Sequence, residues 1–499
     1  MSAAAALLGL LGCPSPGGAP KPEPCTHIPA YEDADGDGWG AAAAAPCTPG
    51  SVSLIGDCDD QAADISPDAE EVCGDGFDNN CDGRGCAPEG ELAPDLVYTG
   101  QNPGDGLGAS LAVDDLDQDA LPELLLGAPG WTDRDGVVTG AVYVVEPLSG
   151  ALSTVGDAER RIEGTMGDSE LGASMVLLDD DGDGTPTLFL GAPSYGSPVT
   201  TDGRLYRFED PGVGARSTAE ADGWIDAPNA ASRLGGALGA GDDDGDGRSS
   251  LAAADSGTDS AIWTATADFS PGSLVSSAWT GAGAGELALL ASDLNGDGLD
   301  DLVASNPAYE TDRGRVWWMA APWQAGGELS AASGTWHSGD VLELGAALAA
   351  GDLDGDGLED LVIGAPRSAS GAGAVFVVRA DGGGVIQEEA LVWLKGEPDA
   401  ELGSSIAVVR GGGASADLLV GAPARGSEDA RVHLYIAPVV SGAAAAAKLR
   451  ATGDEWGLGA AVLGGDLDGD DVPELITTAP FDCCAEPAGN VALVLGDRP

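Results

Sequence analysis

The sequence predicts an all-β fold, a seven-bladed β-propeller behind a small cross-linked module, and three observations carry that reading. The first is a recurring sentence, which in its fullest form reads LGAALAAGDLDGDGLEDLVIGAP at 344–366. It returns at 107–129, 171–193, 234–256, 286–307, 402–423 and 458–480, roughly every 50–65 residues, a period at which repeats mean propellers, solenoids or arrays. The second is that two further apolar segments follow the copies, such as AVYVVE (141–146) and RIEG (161–164) after the first. Four short strands per unit is the content of a propeller blade. The third lies at the ends. The seventh unit stops after its third strand, VALVLG (491–496), while a spare fourth-strand segment, DLVYTG (95–100), precedes the first copy. That segment would complete the last blade and close the ring, removing the strand edges an open array leaves unpaired.

In chain order, residues 1–13, MSAAAALLGLLGC, are an apolar run too short to span a bilayer as a helix. A Pro/Gly tether follows at 14–24, and a Cys/Asp-rich module occupies 25–90. That module holds Cys25, Cys47, Cys58, Cys73, Cys81 and Cys86 together with Asp33, Asp35 and Asp37, whose alternation suits a hard cation. A module of this size buries too little apolar surface to stand alone, so disulfides and metal are expected to supply its cross-links. A zinc or reduced-thiol module is the competing reading, but no tight CxxC occurs and His27 is the nearest imidazole. The propeller is expected over 91–499.

The acidic loop inside each sentence carries the chemistry. In D-x-D-x-D-G-x-x-D three alternating carboxylates converge, a backbone carbonyl sits at position seven, and a ninth-position acid closes an all-oxygen shell of the kind Ca²⁺ takes. Complete loops are Asp115/Asp117/Asp119/Glu123, Asp293/Asn295/Asp297/Asp301, Asp352/Asp354/Asp356/Asp360 and Asp466/Asp468/Asp470/Glu474. Asp179/Asp181/Asp183 and Asp242/Asp244/Asp246 end instead on Thr187 and Ser250, and the sixth copy has lost its site, with Arg410 and glycines in place of the acids and only Asp417 left. A lone DxDxDG is as often a solvated turn as a site; six aligned copies favour the site. Ala120 stands where other copies have Gly, so some strain is expected in the first loop.

These residues resemble the FG-GAP repeats of integrin α-subunit propellers, with LG standing for FG and GAP intact at 127–129, 191–193, 364–366 and 421–423. The resemblance spans about 91–499 and implies a calcium-binding propeller; adhesion is a weaker implication, because similar propellers also serve as accessory parts of enzymes. Residues 25–90 are similar to an acidic, cysteine-containing metal-binding motif of bacterial surface proteins. Residues 1–13 resemble a bacterial lipoprotein signal, which implies lipidation of Cys13, although no Lys or Arg precedes the apolar run.

Asp and Glu number 83 against 21 Lys and Arg, a net charge of −62, which disfavours nucleic acid and anionic membrane surfaces as partners. Of the three histidines, His337 and His433 fall on blade strands, and no GxSxG, HExxH or P-loop occurs. The adjacent Cys483 and Cys484 could form a vicinal disulfide in a loop or bond to separate partners, and neither reading points to catalysis. The expected function is that of an exported, surface-anchored, Ca²⁺-binding adhesion or binding protein, not an enzyme, with a membrane link only through a lipid anchor. A carbohydrate-active enzyme on a propeller and a structural envelope lipoprotein are the alternatives. A protein or glycan ligand would meet the face opposite the acidic loops, where Trp131, Tyr195 and Tyr309 follow the second strands. Packing of these rings between blades is the competing reading.

Overall fold

The computed structural model describes residues 30–32, 34, 39–40, 43–44, 51–52, 54–55, 61–62, 91–92 and 96–494, the last range without 117, 120, 147–154, 156–159, 198–199, 210–214, 229–231, 258–259, 266–276, 340, 380–381, 410–414, 424–429, 437–438, 440–446, 451–457, 468–472 and 481–488. Cys13, the tether, Asp33, Asp35, Asp37, Asp117, Asp468, Asp470, Cys483 and Cys484 therefore lie outside the described residues. Two compact units emerge, 1–90 with residue 499, and 91–498. In the first, Ala30–Glu32 pairs antiparallel with Ala43–Ala44 and Ser51–Val52, and Trp39–Gly40 pairs parallel with Leu54–Ile55.

In the second unit, seven antiparallel sheets follow one another, each with the four-strand order read from the sequence. Blade one is Leu111–Asp114, Glu123–Ala128, Ala141–Val145 and Arg160–Glu163. The innermost strands touch in cyclic order, and that of blade seven, Ala461–Gly465, returns to that of blade one, so the ring is closed. The closing strand is Leu96–Thr99, paired antiparallel with Asn490–Val494 from Leu96↔Leu493 to Thr99↔Asn490. A second clasp recurs in blades one, three, four and six: a short segment from the next blade adds a parallel fifth strand. In blade six this is Glu91–Leu92 against Lys448 and Leu449.

Why the second and third strands read as continuous apolar runs follows from where the core sits. It is divided into seven layers, each shared by two neighbouring blades. Leu124, Leu126, Tyr143 and Val145 pack toward blade seven, whereas Leu125, Val142 and Val144 pack toward blade two. Alternate side chains of one strand thus enter different seams, and both faces of the sheet must be apolar.

The two glycine signatures have one cause. A Cβ on Gly191 of the second GAP would lie 2.2 Å from the carbonyl oxygen of Gly235, the glycine of the next LG; for Gly364 and Gly403 the figure is 2.1 Å. Gly235 itself has φ +94, which a side chain would strain. Blades therefore meet backbone to backbone at these points. Where blade four carries Ser305 in place of the GAP glycine, its hydroxyl donates to the Gly345 carbonyl at 2.6 Å.

Candidate functional site

Each acidic loop joins the first and second strands of its blade, so all the loops lie on one face of the ring. The first aspartate shapes the loop by accepting amides across it. Asp352 takes those of Gly355 (2.6 Å) and Gly357 (2.9 Å), and Asp179, Asp242 and Asp293 repeat the pattern. The third-position side chain then accepts the fifth-position amide, as Asp354 does from Asp356 at 3.1 Å. The result is convergence: carboxylate oxygens of Asp179/Asp181/Asp183, Asp242/Asp244/Asp246 and Asp352/Asp354/Asp356 lie within 4.8 Å of one another in each trio.

In loop one the described acids are Asp115, Asp119 and Glu123, and the Asp119 side chain is exposed, as Asp183, Asp246, Asp297 and Asp356 are at the same position. Asp119 Oδ1 accepts the Leu121 amide at 2.9 Å, and its own amide donates to Asp115 Oδ1 at 3.1 Å. The first-position carboxylate thus takes the fifth-position amide, as Asp293 also does from Asp297 at 3.1 Å. Gln118, at φ +60, holds the left-handed position that Gly182, Gly245, Gly296 and Gly355 fill elsewhere. Asp117 lies outside the described residues, so the trio that Asp119 would complete is not described, and Asp119 remains an expected ligand.

The closing residue sits on the first position of the second strand and is buried in the four loops with a complete acid set, at Glu123, Asp301, Asp360 and Glu474, while Asp417 of the sixth copy is half-buried. Asp301 is 0% exposed; its Oδ1 accepts the Ala321 amide at 2.9 Å and the Asn295 Nδ2 at 3.3 Å, and its Oδ2 accepts no hydrogen bond. Burial raises its pKa against the Ala321 amide and the nearby Trp318 indole, whose N–H likewise completes no hydrogen bond of ordinary geometry. Burial pushes the Asp360 carboxyl up to about 6, with the Leu353 amide opposing and Asp354 and Asp356 adding to the rise. An oxygen-only donor set with a buried, unsatisfied carboxylate oxygen fits a hard divalent cation.

Loops two and three are not simply depleted at position nine. In them the second position, Leu116, Leu294, Leu353 or Leu467 elsewhere, is Asp180 or Asp243, both 0% exposed. Thr187, the ninth residue, donates to Asp180 Oδ1 at 2.9 Å. The buried carboxylate has changed places with the residue seven positions later. The pattern was visible as Asp at position two only where position nine is Thr or Ser, and sequence reasoning passed over it.

On the opposite face, Trp131 is 4% exposed and belongs to the seam between blades seven and one, with the Arg161 guanidinium 5.3 Å from its ring. It is therefore withdrawn from the expected ligand surface, because its indole is part of the core. Tyr195 and Tyr309 are half-buried, each edge-on to a third-strand ring, Tyr206 or Trp317, and each covered by an arginine, Arg204 at 4.1 Å or Arg315 at 4.5 Å. A cavity of about 280 Å³ opens on this face among the starts of blades two, three and four, where Glu170, Arg233, Asp255 and Glu286 line it.

His433 is buried beside Tyr435, with Lys448, Glu397 and Arg431 around it, and burial lowers its pKa to about 4. The folded state keeps this imidazole neutral below 6.5, where the unfolded chain takes up a proton. Stability is therefore lost as pH falls from 6.5 toward 4, by roughly 3 kcal/mol. Urea denaturation at pH 7 and pH 4.5 should show His433→Gln losing less stability than the parent over that interval; equal losses would contradict the assignment.

Family comparison agrees with this architecture. The FG-GAP repeat matches residues 107–145, 287–317 and 344–378, and the motif described as "Putative metal-binding motif" matches 57–85. Phosphatidylinositol-glycan-specific phospholipase D of Rattus norvegicus is 32% identical over 165 residues, 32% of this chain and 20% of that protein. Integrin alpha-7 of Homo sapiens is 35% identical over 124 residues, 25% of this chain and 10% of that protein. Human integrin alpha-6 is 36% identical over 103 residues, 20% of this chain and 9% of that protein. The chain spans a fifth or less of the length of these relatives. Residues 91–498 thus form a seven-bladed propeller that carries FG-GAP repeats at 107–145, 287–317 and 344–378 and is similar to integrin α-subunits over part of its length, and a metal-binding motif precedes it at 57–85.

Proposed function

We propose that this chain is an exported, surface-anchored binding protein whose propeller is stiffened by Ca²⁺ in the acidic loops and presents a protein or glycan ligand-binding surface on the opposite face. The observation that carries the metal part is the Asp301 Oδ2, buried and accepting no hydrogen bond, beside Asp293, Asn295 and Asp297. Bound Ca²⁺ would supply the positive charge that lets these carboxylates stay ionised out of water; Asp301, Asp360, Glu123 and Glu474 would close their loops on it. Similarity to integrin α-subunits supports the binding role, and Tyr195, Tyr309 and the cavity beside Glu170 and Arg233 are the ligand-face candidates. The lipid anchor at Cys13 and metal binding by Asp33, Asp35 and Asp37 are part of the same proposal, resting on sequence alone. Among the described residues no helix is long and apolar enough to cross a membrane.

The test is thermal unfolding of the full chain. Excess chelator should lower Tm and millimolar Ca²⁺ restore it by mass action, with Mg²⁺ restoring less because it favours tighter octahedral sites. Asp356→Ala should reduce the Ca²⁺-dependent gain, whereas Asp417→Ala, in the loop without a site, should not. An unchanged melt in chelator would refute the metal reading. One relative is named as a phospholipase, which keeps an enzyme built on the same scaffold as a second reading. Product release from polysaccharides would favour it, and binding on a glycan array without turnover would favour the first.

A further inference from the structure

The carboxylates buried beneath the acidic loops do not share one means of neutralisation. Beneath loop one, Glu123 pairs with Arg160 at 2.8 Å. Beneath loop two, Asp180 is held by Arg207 through Nε (2.5 Å) and a second guanidinium nitrogen (2.9 Å), and by the Thr187 hydroxyl. Beneath loop three, Asp243 accepts the amides of Trp323 (3.0 Å) and Gln324 (3.2 Å) and the Gln324 side-chain nitrogen (2.6 Å). Loop four differs, since Asp301 keeps an oxygen that no hydrogen bond satisfies.

We infer that the ring carries two kinds of acidic loop, and that the loop of blade four, Asp293/Asn295/Asp297/Asp301, binds a divalent cation more tightly than the loop of blade two, Asp179/Asp181/Asp183. The inference rests on the cation-binding reading above and deepens it by ranking the sites. In blade four the ninth-position carboxylate is already desolvated and one of its oxygens accepts no hydrogen bond, so a cation adds an interaction at that oxygen. In blade two the buried carboxylate stands at position two, a guanidinium already neutralises it, and the ninth residue offers only a hydroxyl that is itself engaged. A cation there meets three exposed or half-exposed carboxylates and no free fourth. Each loop thus offers three carboxylates, but blade four adds the Asn295 carbonyl oxygen and places one carboxylate at the closing position, whereas blade two has no fourth side-chain oxygen free, and fewer oxygen ligands means weaker Ca²⁺ binding. The exchange of Leu294 for Asp180 at position two therefore acts as the determinant of loop class, through the side chain it positions.

The fifth-position aspartates allow a clean comparison, because Asp297 and Asp183 are both exposed and occupy equivalent places, so neither substitution disturbs the core. The full chain, stripped with chelator, is titrated with CaCl₂ by calorimetry, alongside Asp297→Asn and Asp183→Asn. The binding phase lost in Asp297→Asn is expected to be tighter than that lost in Asp183→Asn by on the order of tenfold or more. Equal affinities for the two lost phases, or the reverse order, would overturn the ranking while leaving the cation reading intact. No Ca²⁺ heat in the parent chain would instead defeat the cation reading, and the ranking with it.

Discussion

Deletion of residues 91–100 should convert a folded chain into one that aggregates and is readily proteolysed. The ten residues carry both clasps at the end of the ring. Leu96–Thr99 is the outer strand of blade seven, and Glu91–Leu92 is the parallel fifth strand of blade six. Tyr98 is fully buried in the seam between blades seven and one, and Val97 packs into the seam between six and seven, so loss of one strand opens two core layers. Losing burial of Leu96, Val97 and Tyr98 removes on the order of 5 kcal/mol at ordinary transfer values, a large fraction of a domain's net stability. It also exposes the edge of Asn490–Val494, an apolar template for pairing with another chain. Removal of 14–90 takes no strand from the ring, should leave it folded, and is the matched control. Limited proteolysis and light scattering decide the point; a 91–100 deletion as resistant as the control would show that the strand does not hold the ring shut.

Much of this ring was legible because each feature leaves a local signature. Seven copies give seven sheets, and the strands expected at 141–146 and 95–100 fall at Ala141–Val145 and Leu96–Thr99. The apolar runs without alternation, such as ELLLGA, announce strands buried on both faces, and LG and GAP mark the points where backbones meet across a seam. What sequence could not give is where a side chain ends. Trp131 occupies the same place after its second strand as Tyr195 and Tyr309, yet only its ring is enclosed. Its neighbours Tyr98 and Leu107 come from the closing strand and the segment after it, a contact that exists only once the ring is shut. The parallel fifth strands were missed for a related reason: two or three residues such as Gly384–Val385 carry no period to read.

The position-two acids show how one loop sequence can serve two ends. Where the second residue is leucine, it fills apolar space beneath the loop, and the ninth-position carboxylate faces the loop itself; the Leu116 and Leu353 amides cap Glu123 and Asp360 at 2.8 and 3.2 Å. Where the second residue is aspartate, a charge replaces that leucine and must find a donor, which for Asp243 comes from Trp323 and Gln324 of blade four and for Asp180 from its own blade. Arg207, on the third strand of blade two, is that donor. Burial lowers the pKa of its guanidinium, but the hydrogen bonds to Asp180 and Glu209 outweigh that effect and raise it overall. The pair is internal to one blade, so it links the loop to the sheet whether or not a cation is bound.

Asp180→Ala should therefore cost roughly 3 kcal/mol of folding stability, and equally with Ca²⁺ or with chelator. The carboxylate is 0% and its arginine 8% exposed, so removing the acid leaves a buried guanidinium whose remaining carboxylate partner, Glu209, is largely in water. That remaining contact places the expected loss toward the lower end of the range for a broken buried pair. Asp181→Ala, one residue on and exposed, should leave the chelated protein unchanged, since it contributes to the loop's cation and not to the core. The double substitution Asp180→Leu with Arg207→Met restores the leucine found in the other loops and removes both charges, and it should recover most of the lost stability. Chemical denaturation in both conditions separates the roles. If Asp180→Ala is harmful only when Ca²⁺ is present, Asp180 is a cation ligand and the exchange of positions has been misread; if it is harmless in both, the Arg207 pair does not hold the blade.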